Sequence, residues 1–269
     1  MDIKLKCPVC GKELTDSGRT LNCGKGHSFD RARQGYVNLL PVQFKHSLDP
    51  GDTAEMLKAR RRFLDSGMYE PVCQSVLDAM RKFSHDNPKA ADIGCGEGYY
   101  TSKLKALFPG EYIGIDISKD GARMACSRDK DILFLVATAS HLPIEDDQLD
   151  CVCAMFSLLL PEEYARVLKR NGCVIEVTVG NDHLKELKSI IYDEVFVQDK
   201  RPSECIGLFD EVQRREYRYS MTLDNAALKD LLLMTPHFWR IRKEKREQLE
   251  ATDSLTLTVN YWVRVLKKK

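Results

Sequence analysis

The sequence lacks any long apolar run. The longest, Cys151 to Leu160, is about half of the ~20 residues that a membrane-spanning helix needs, and Ser157 interrupts it. The opening Met1-Asp-Ile-Lys-Leu-Lys-Cys7 has no apolar signal core, so no membrane segment and a cytoplasmic location are expected. A charge of one sign is missing as well. With 41 basic residues against 40 acidic ones, nucleic-acid binding would have to rest on a local basic face. Hydrophobic residues make up 43% of the chain, which excludes a disordered protein. There is no internal repeat, and the terminal Lys267-Lys268-Lys269 reads as a solvated end. In a reducing cytosol, metal binding is a better use for the ten cysteines than disulfides.

Residues 1–45 offer few candidates for a hydrophobic core and need a staple. Cys7-x2-Cys10-x12-Cys23-x3-His27 supplies it: three soft thiolates and an imidazole, paired so that two turns converge on one tetrahedral zinc ion. No base stands near to act on a metal-bound water, so the site reads as closed and structural. The other cysteines, at 73, 95, 126, 151, 153, 173 and 205, read as small buried hydrophobes. Residues 46–85 read as a linker followed by two helices. The first is opened by a capping box at Asp52-Thr-Ala-Glu55 and stops near Gly67, and the second has Pro71 in its first turn.

Residues 86–269 alternate short apolar strands (Ala90 to Gly94, Tyr112 to Ile117, Leu133 to Ala137, Leu149 to Phe156, Val174 to Val179) with helices. One helix is expected from Pro161 to Asn171-Gly172. This spacing predicts an α/β fold with a parallel sheet. Two strand-like stretches, Glu216 to Met221 and Leu255 to Val265, flank a helix near Asn225 to Leu233 and suit antiparallel edge strands.

Asp92-Ile-Gly94-Cys-Gly96-Glu97-Gly98 follows a strand and opens a helix, so the backbone there can approach a ligand. The dinucleotide fingerprint Gly-x-Gly-x-x-Gly is not met, and no Gly-Lys-Ser/Thr marks a phosphate loop. An acid before the loop suits an ammonium group. Asp116, ending the next strand, suits the two hydroxyls of a ribose. Together these point to S-adenosylmethionine.

At this point the chain resembles the Rossmann-like, seven-stranded class I methyltransferases, with Ala137-Thr-Ala-Ser-His141-Leu-Pro143 as the adenine-side segment and Thr138 where many members carry an acid. A narrower likeness rests on the zinc knuckle, Gly35-Tyr-Val-Asn-Leu-Leu-Pro41, Asp49-Pro-Gly-Asp52, Ala59-Arg-Arg, the glycine loop, and Met234-Thr-Pro-x-x-Trp239. This order is similar to the large-subunit ribosomal RNA guanine-N(1)-methyltransferases, the RlmA family. The resemblance implies an amino-terminal zinc module (1–45) that docks an RNA hairpin, a helical cofactor lid (46–85), a methyltransferase domain (86–269) and a homodimer. It also implies zinc ligation by Cys7, Cys10, Cys23 and His27, and cofactor contacts at Tyr69, Gly96, Glu97 and His183, beside Asp92, Gly94, Gly98 and Asp116 of the wider fold. Where family members tend to carry a Tyr-x-Pro-Cys segment beside the target base, this chain has Phe156-Ser-Leu-Leu-Leu-Pro161, so the pocket floor is expected to differ.

No general base is singled out, although Glu162, Glu163 and His183 stand near the expected pocket mouth. Phe156, Phe238 and Trp239 are aromatic candidates to receive an unstacked base. Basic clusters at Arg31, Arg33 and Lys45, at Lys58 and Arg60 to Arg62, and at Arg240 through Arg246 are candidates for phosphate contacts. Two other readings stand beside an RNA enzyme: a small-molecule methyltransferase with a structural zinc appendage, and an RNA-binding protein whose methyltransferase fold has lost turnover.

Overall fold

The computed structural model describes residues 2–44, 50–193, 207–239 and 241–269. Lys45, Cys205, Arg240 and most of the expected linker lie outside the described residues. Four short strands, β1 (Leu5–Lys6), β2 (Glu13–Asp16), β3 (Thr20–Cys23) and β4 (Ser28–Asp30), form an antiparallel ribbon at the amino terminus. After β5 (Val37–Asn38) come two helices, α1 (Ala54–Asp65) and α2 (Glu70–Phe83). The alternating part follows: β6 (Lys89–Ile93), α3 (Tyr99–Leu107), β7 (Glu111–Asp116), α4 (Lys119–Ala125), β8 (Leu133–Val136), β9 (Leu149–Met155), α5 (Pro161–Val167), β10 (Leu168–Val179) and α6 (Lys185–Ile191). The chain closes with β11 (Phe209–Asp224), α7 (Asn225–Leu233), α8 (Lys243–Glu250) and β12 (Ser254–Lys268).

The main sheet runs β11-β12-β10-β9-β6-β7-β8-β5. Its strands all run one way except β12, which is antiparallel to both β10 and β11; β11 is an edge strand as the tail's alternation predicted, whereas β12, expected at an edge too, lies inside because β11 covers it. Strand order reverses between β6 and β9, and the crevice beyond the carboxyl ends at such a switch point is where ligands bind in open α/β sheets. The sheet has eight strands where seven were expected. The extra one, β5, comes from the amino-terminal segment and pairs Val37 with Leu135 and Asn38 with Val136.

The ribbon is therefore no free-standing appendage. Ile3, Leu5, Leu14 and Leu21 share one apolar core with Ile93, Ile113, Leu135 and Val152 of the sheet. The backbone joins too: Lys6 N–H donates to Pro143 O at 3.1 Å, and Glu145 N–H to Lys4 O at 3.0 Å. Crossovers between parallel strands usually carry a helix, but residues 137–148, between β8 and β9, contain none. The amino-terminal ribbon helps cover the apolar face of the sheet on that side.

Local signals fare unevenly. Helix α1 is capped by Thr53, whose hydroxyl accepts from Met56 N–H, and not by Asp52. Helix α5 ends at Val167, short of Asn171-Gly172, because β10 already begins at Leu168. The terminal lysines are structural and not simply solvated: Lys267 Nζ donates to Phe83 O at 2.6 Å, and Lys268 pairs with Asp147 at 2.7 Å. No helix among the described residues is long and apolar enough to cross a membrane.

Candidate active site and zinc centre

In the ribbon, the side-chain donor atoms of Cys7, Cys10, Cys23 and His27 all lie within 4.8 Å of one another. Cys10 and Cys23 Sγ are 3.7 Å apart, and His27 Nδ1 stands 3.3 Å from Cys23 Sγ and 3.5 Å from Cys7 Sγ. Such separations are too long for a disulfide, with its S–S bond of ~2.05 Å. They match the edges of a tetrahedron built on Zn–S bonds of about 2.3 Å and Zn–N bonds of about 2.0 Å. Burial raises the Cys23 thiol, but the N–H groups of Lys25 and His27 outweigh it and bring the thiol down to about 6, which favours the metal-binding thiolate. The residues fit one structural zinc.

At the carboxyl ends of β6, β7 and β9 lies a cleft of about 1020 Å³. The loop after β6 forms its floor, with Gly94, Gly96 and Gly98 all at positive φ (81°, 55° and 82°). Their reasons differ. A Cβ at Gly94 would strike Ser157 at 2.7 Å, and one at Gly98 would strike Ala125 at 2.8 Å, so both permit packing between elements. Gly96 is the position whose missing side chain opens toward the cleft. Asp116, at the tip of β7, lines the same space. Its Oδ2 accepts from Gly96 N–H at 2.8 Å and its Oδ1 from Ser118 N–H at 2.7 Å. Each oxygen thus keeps a lone pair for a hydroxyl donor. Burial raises the Asp116 carboxyl above its ordinary range, and the two N–H bonds oppose that.

Tyr69, Phe156 and His183 form an aromatic cluster at the cleft wall, with Phe156 6.2 Å from Tyr69 and 6.3 Å from His183 between ring centroids. His183 Nδ1 accepts the Asn260 N–H at 3.3 Å. A neutral imidazole then carries its proton on Nε2, which faces the Tyr69 hydroxyl at 3.4 Å. Phe156 sits in the left-handed region at φ 54°, a strained conformation for a bulky residue. It is fixed there by its N–H to Val177 O at 2.8 Å and by Ser157 Oγ donating to Ile93 O at 2.6 Å.

The predicted site residues divide accordingly. Tyr69, Gly94, Gly96, Glu97, Asp116 and His183 line the cleft, whereas Asp92 and Gly98 do not. Asp92 is buried behind the loop, where Oδ2 accepts from Thr101 and Oδ1 has no partner. Burial raises its carboxyl to about 7. The Glu97 side chain is 1% exposed, and Oε2 takes both Arg61 Nε (2.8 Å) and Arg128 Nε (2.7 Å), so its carboxylate clamps α1, while Oε1 has no partner among the described residues. Each arginine of the triplet pairs with a carboxylate of this chain. Arg60 pairs with Asp52, Arg61 with Glu97, and Arg62 with Asp230. These pairs tie α1 to the loop before it, to the glycine loop and to α7. Elsewhere Arg31 pairs with Asp16 and Arg242 with Asp193, while Arg33 is exposed.

Glu163 accepts from Leu142 N–H at 2.6 Å and pairs with Arg166, which removes it as a base, and Glu162 is exposed on α5 outside the cleft lining. Phe238 and Trp239 do not line the cleft; His237, beside them, does. Asp52 and Arg60 are the cleft residues that sequence reasoning assigned elsewhere, to a helix cap and an RNA face. The motifs Asp49-Pro-Gly-Asp52 and Ala59-Arg-Arg marked them, but nothing in either says which way each side chain turns.

Residues 5–48 match the family model "RlmA, N-terminal", a zinc ribbon, and residues 90–172 match "Methyltransferase domain". The chain is 31% identical over 271 residues to the 23S rRNA (guanine(748)-N(1))-methyltransferase of Streptomyces fradiae, covering 96% of this chain and 95% of that protein. The chain belongs to the 23S rRNA (guanine-N(1)-)-methyltransferase family. YxjB of Bacillus subtilis, provisionally named for the same reaction, is 32% identical over 95% of this chain and 94% of its own. The solved YcgJ protein of Bacillus subtilis superposes with a TM-score of 0.52 at 16% identity, covering 73% of this chain and 99% of that one, and shares the fold. As a member of this family the chain carries an S-adenosylmethionine-dependent methyltransferase domain and one zinc. The cleft fits that cofactor: Asp116 can accept from a ribose, and Gly96 permits close backbone approach.

Proposed function

We propose that this protein methylates N1 of a guanine in a hairpin of 23S rRNA, with Tyr69, Gly94, Gly96, Asp116 and His183 holding S-adenosylmethionine and the zinc ribbon docking the RNA. The observation that carries this reading is the full-length likeness to a 23S rRNA (guanine(748)-N(1))-methyltransferase, which spans ribbon, lid and sheet together. A small-molecule enzyme with an incidental zinc appendage fits less well, because the ribbon shares its core with the catalytic sheet. The same reading includes action as a homodimer in the cytoplasm.

The cofactor supplies an electrophilic sulfonium methyl group. The chain's own work is to position and to exclude water. Asp116 accepts from the ribose hydroxyls, and Gly96 lets the backbone lie against the amino-acid tail. The aromatic wall of Tyr69 and Phe156 receives an unstacked base, with Phe156 held rigid by its backbone bonds. In its assigned tautomer His183 presents a proton on Nε2 and serves as a hydrogen-bond donor, not as the base. Glu97 is engaged by Arg61 and Arg128. The N1 proton is lost to solvent as the base enters, before the cleft is closed to water, and the N1–C bond then forms as the S–C bond breaks.

The test is incubation of the purified protein with labelled S-adenosylmethionine and undermodified 23S RNA, followed by nucleoside analysis. Label in 1-methylguanosine is expected. Label on a small metabolite with none on RNA contradicts the reading.

A further inference from the structure

Arg60 projects from the lid helix α1 into the cleft, with its side chain 27% exposed. A Cβ placed on Gly96 would lie 3.3 Å from Arg60 Nη1, so the guanidinium stands directly against the backbone that the cofactor's tail must cross. Nη2 donates to Met234 O at 3.1 Å, and Nη1 pairs with the Asp52 carboxylate. A guanidinium has five N–H donors, so these two contacts do not exhaust it. Arg60 is also close enough to Asp116 to lower that carboxyl electrostatically, which puts it near the ribose end of the tail.

S-adenosylmethionine carries two cationic groups, sulfonium and ammonium, and one anionic group, the α-carboxylate. A guanidinium beside the glycine loop has only that one complementary partner on the ligand. Arg matches a carboxylate by two parallel N–H bonds, a geometry that Lys cannot reproduce. Asp52, itself lining the cleft, supplies the same chemical group in this structure. We propose that Arg60 binds the α-carboxylate of S-adenosylmethionine, taking it in exchange for Asp52. This inference rests on the cofactor reading above and adds to it the residue that recognises the tail.

The test is titration calorimetry of the full chain with S-adenosylmethionine and with its decarboxylated analogue, which keeps the nucleoside, sulfonium and ammonium. The wild type is expected to prefer the carboxylated ligand by about tenfold or more, as one charge-assisted hydrogen bond allows. In Arg60→Gln, whose amide can still donate toward Met234 O, the preference should shrink below about threefold. The loss should fall on S-adenosylmethionine, with binding of the analogue nearly unchanged. A parallel loss of both ligands, with the preference intact, would show a lid clamp only and overturn the proposal. Equal binding of both ligands by the wild type would overturn it while leaving the cofactor reading standing, and binding of neither would overturn both. The wild-type comparison decides even if the variant fails to fold, which a thermal melt reports.

Discussion

Phe44 stacks on His141, with ring centroids 4.5 Å apart and planes 22° from parallel. Phe44 lies where the chain leaves the amino-terminal segment, and His141 ends the loop that contributes Thr138, Ala139 and Ser140 to the cleft. Ser140 Oγ bridges Thr138 Oγ1 (2.9 Å) and His141 Nδ1 (3.1 Å), so the stack braces the whole loop. Aromatic pairs contribute about 0.5 to 1.5 kcal/mol beyond burial. Phe44→Ala is expected to weaken S-adenosylmethionine binding by roughly threefold to tenfold and to leave the zinc content unchanged. Calorimetry and elemental analysis on the same sample check both parts.

Zinc should be coupled to the stability of the catalytic sheet, since Cys7 and Cys23 belong to the apolar core that contains Ile93 and Ile113. Elemental analysis should find about one zinc per chain. Chelation should lower the melting temperature of the whole protein in one transition. A chelated sample whose main transition stays in place would mean that ribbon and sheet are independent.

What the sequence made legible was whatever depends on local pattern. The zinc spacing, the α7 boundaries and the glycine loop with its acids at 92 and 116 all follow from residues near one another in the chain. What stayed hidden depends on direction and on distant partners. Three consecutive arginines, 60 to 62, turn to Asp52, Glu97 and Asp230, and no helical periodicity reports that. The ribbon's fusion to the sheet was hidden because its few leucines look insufficient until Ile113 and Leu135 are seen beneath them. Asp92 keeps its place in the motif but faces Thr101 from behind the loop.

The ion pairs that hold α1 should differ in strength according to burial. Glu97 is buried, and its two arginine partners are 28% and 16% exposed. Glu97→Gln leaves Arg61 without its carboxylate and Arg128 with only Asp65, and should cost about 2 to 3 kcal/mol, less than a fully buried pair because solvent screens the arginines. The Arg62 side chain is 60% exposed, so Asp230→Asn should cost no more than about 1 kcal/mol. Denaturant unfolding of the two variants measures the contrast, and equal losses would contradict it.

Burial raises the Asp92 carboxyl to about 7, above the unfolded value of ~3.9. Between those values the folded chain holds a proton that the unfolded chain has released. This group's contribution is therefore fully present below about pH 4 and lost as pH rises through about 7. Asp92→Asn should flatten that part of the pH dependence and melt above the wild type at pH 8. Melts between pH 5 and 8, without added S-adenosylmethionine, test the sign. A variant that parallels the wild type would show that Asp92 does not titrate there.

Asp116 is assigned the ribose, and Asp116→Ala should weaken S-adenosylmethionine binding by about 1 to 3 kcal/mol in calorimetry, through lost charge-assisted hydrogen bonds.

The most direct measurement is mass spectrometry of nucleoside digests of 23S RNA from cells that lack this protein, restored either with the wild type or with Asp116→Ala. The account predicts that 1-methylguanosine disappears from one hairpin on deletion, returns with the wild type, and stays low with the variant. An unchanged 1-methylguanosine content in the 23S RNA of the deleted cells would contradict it.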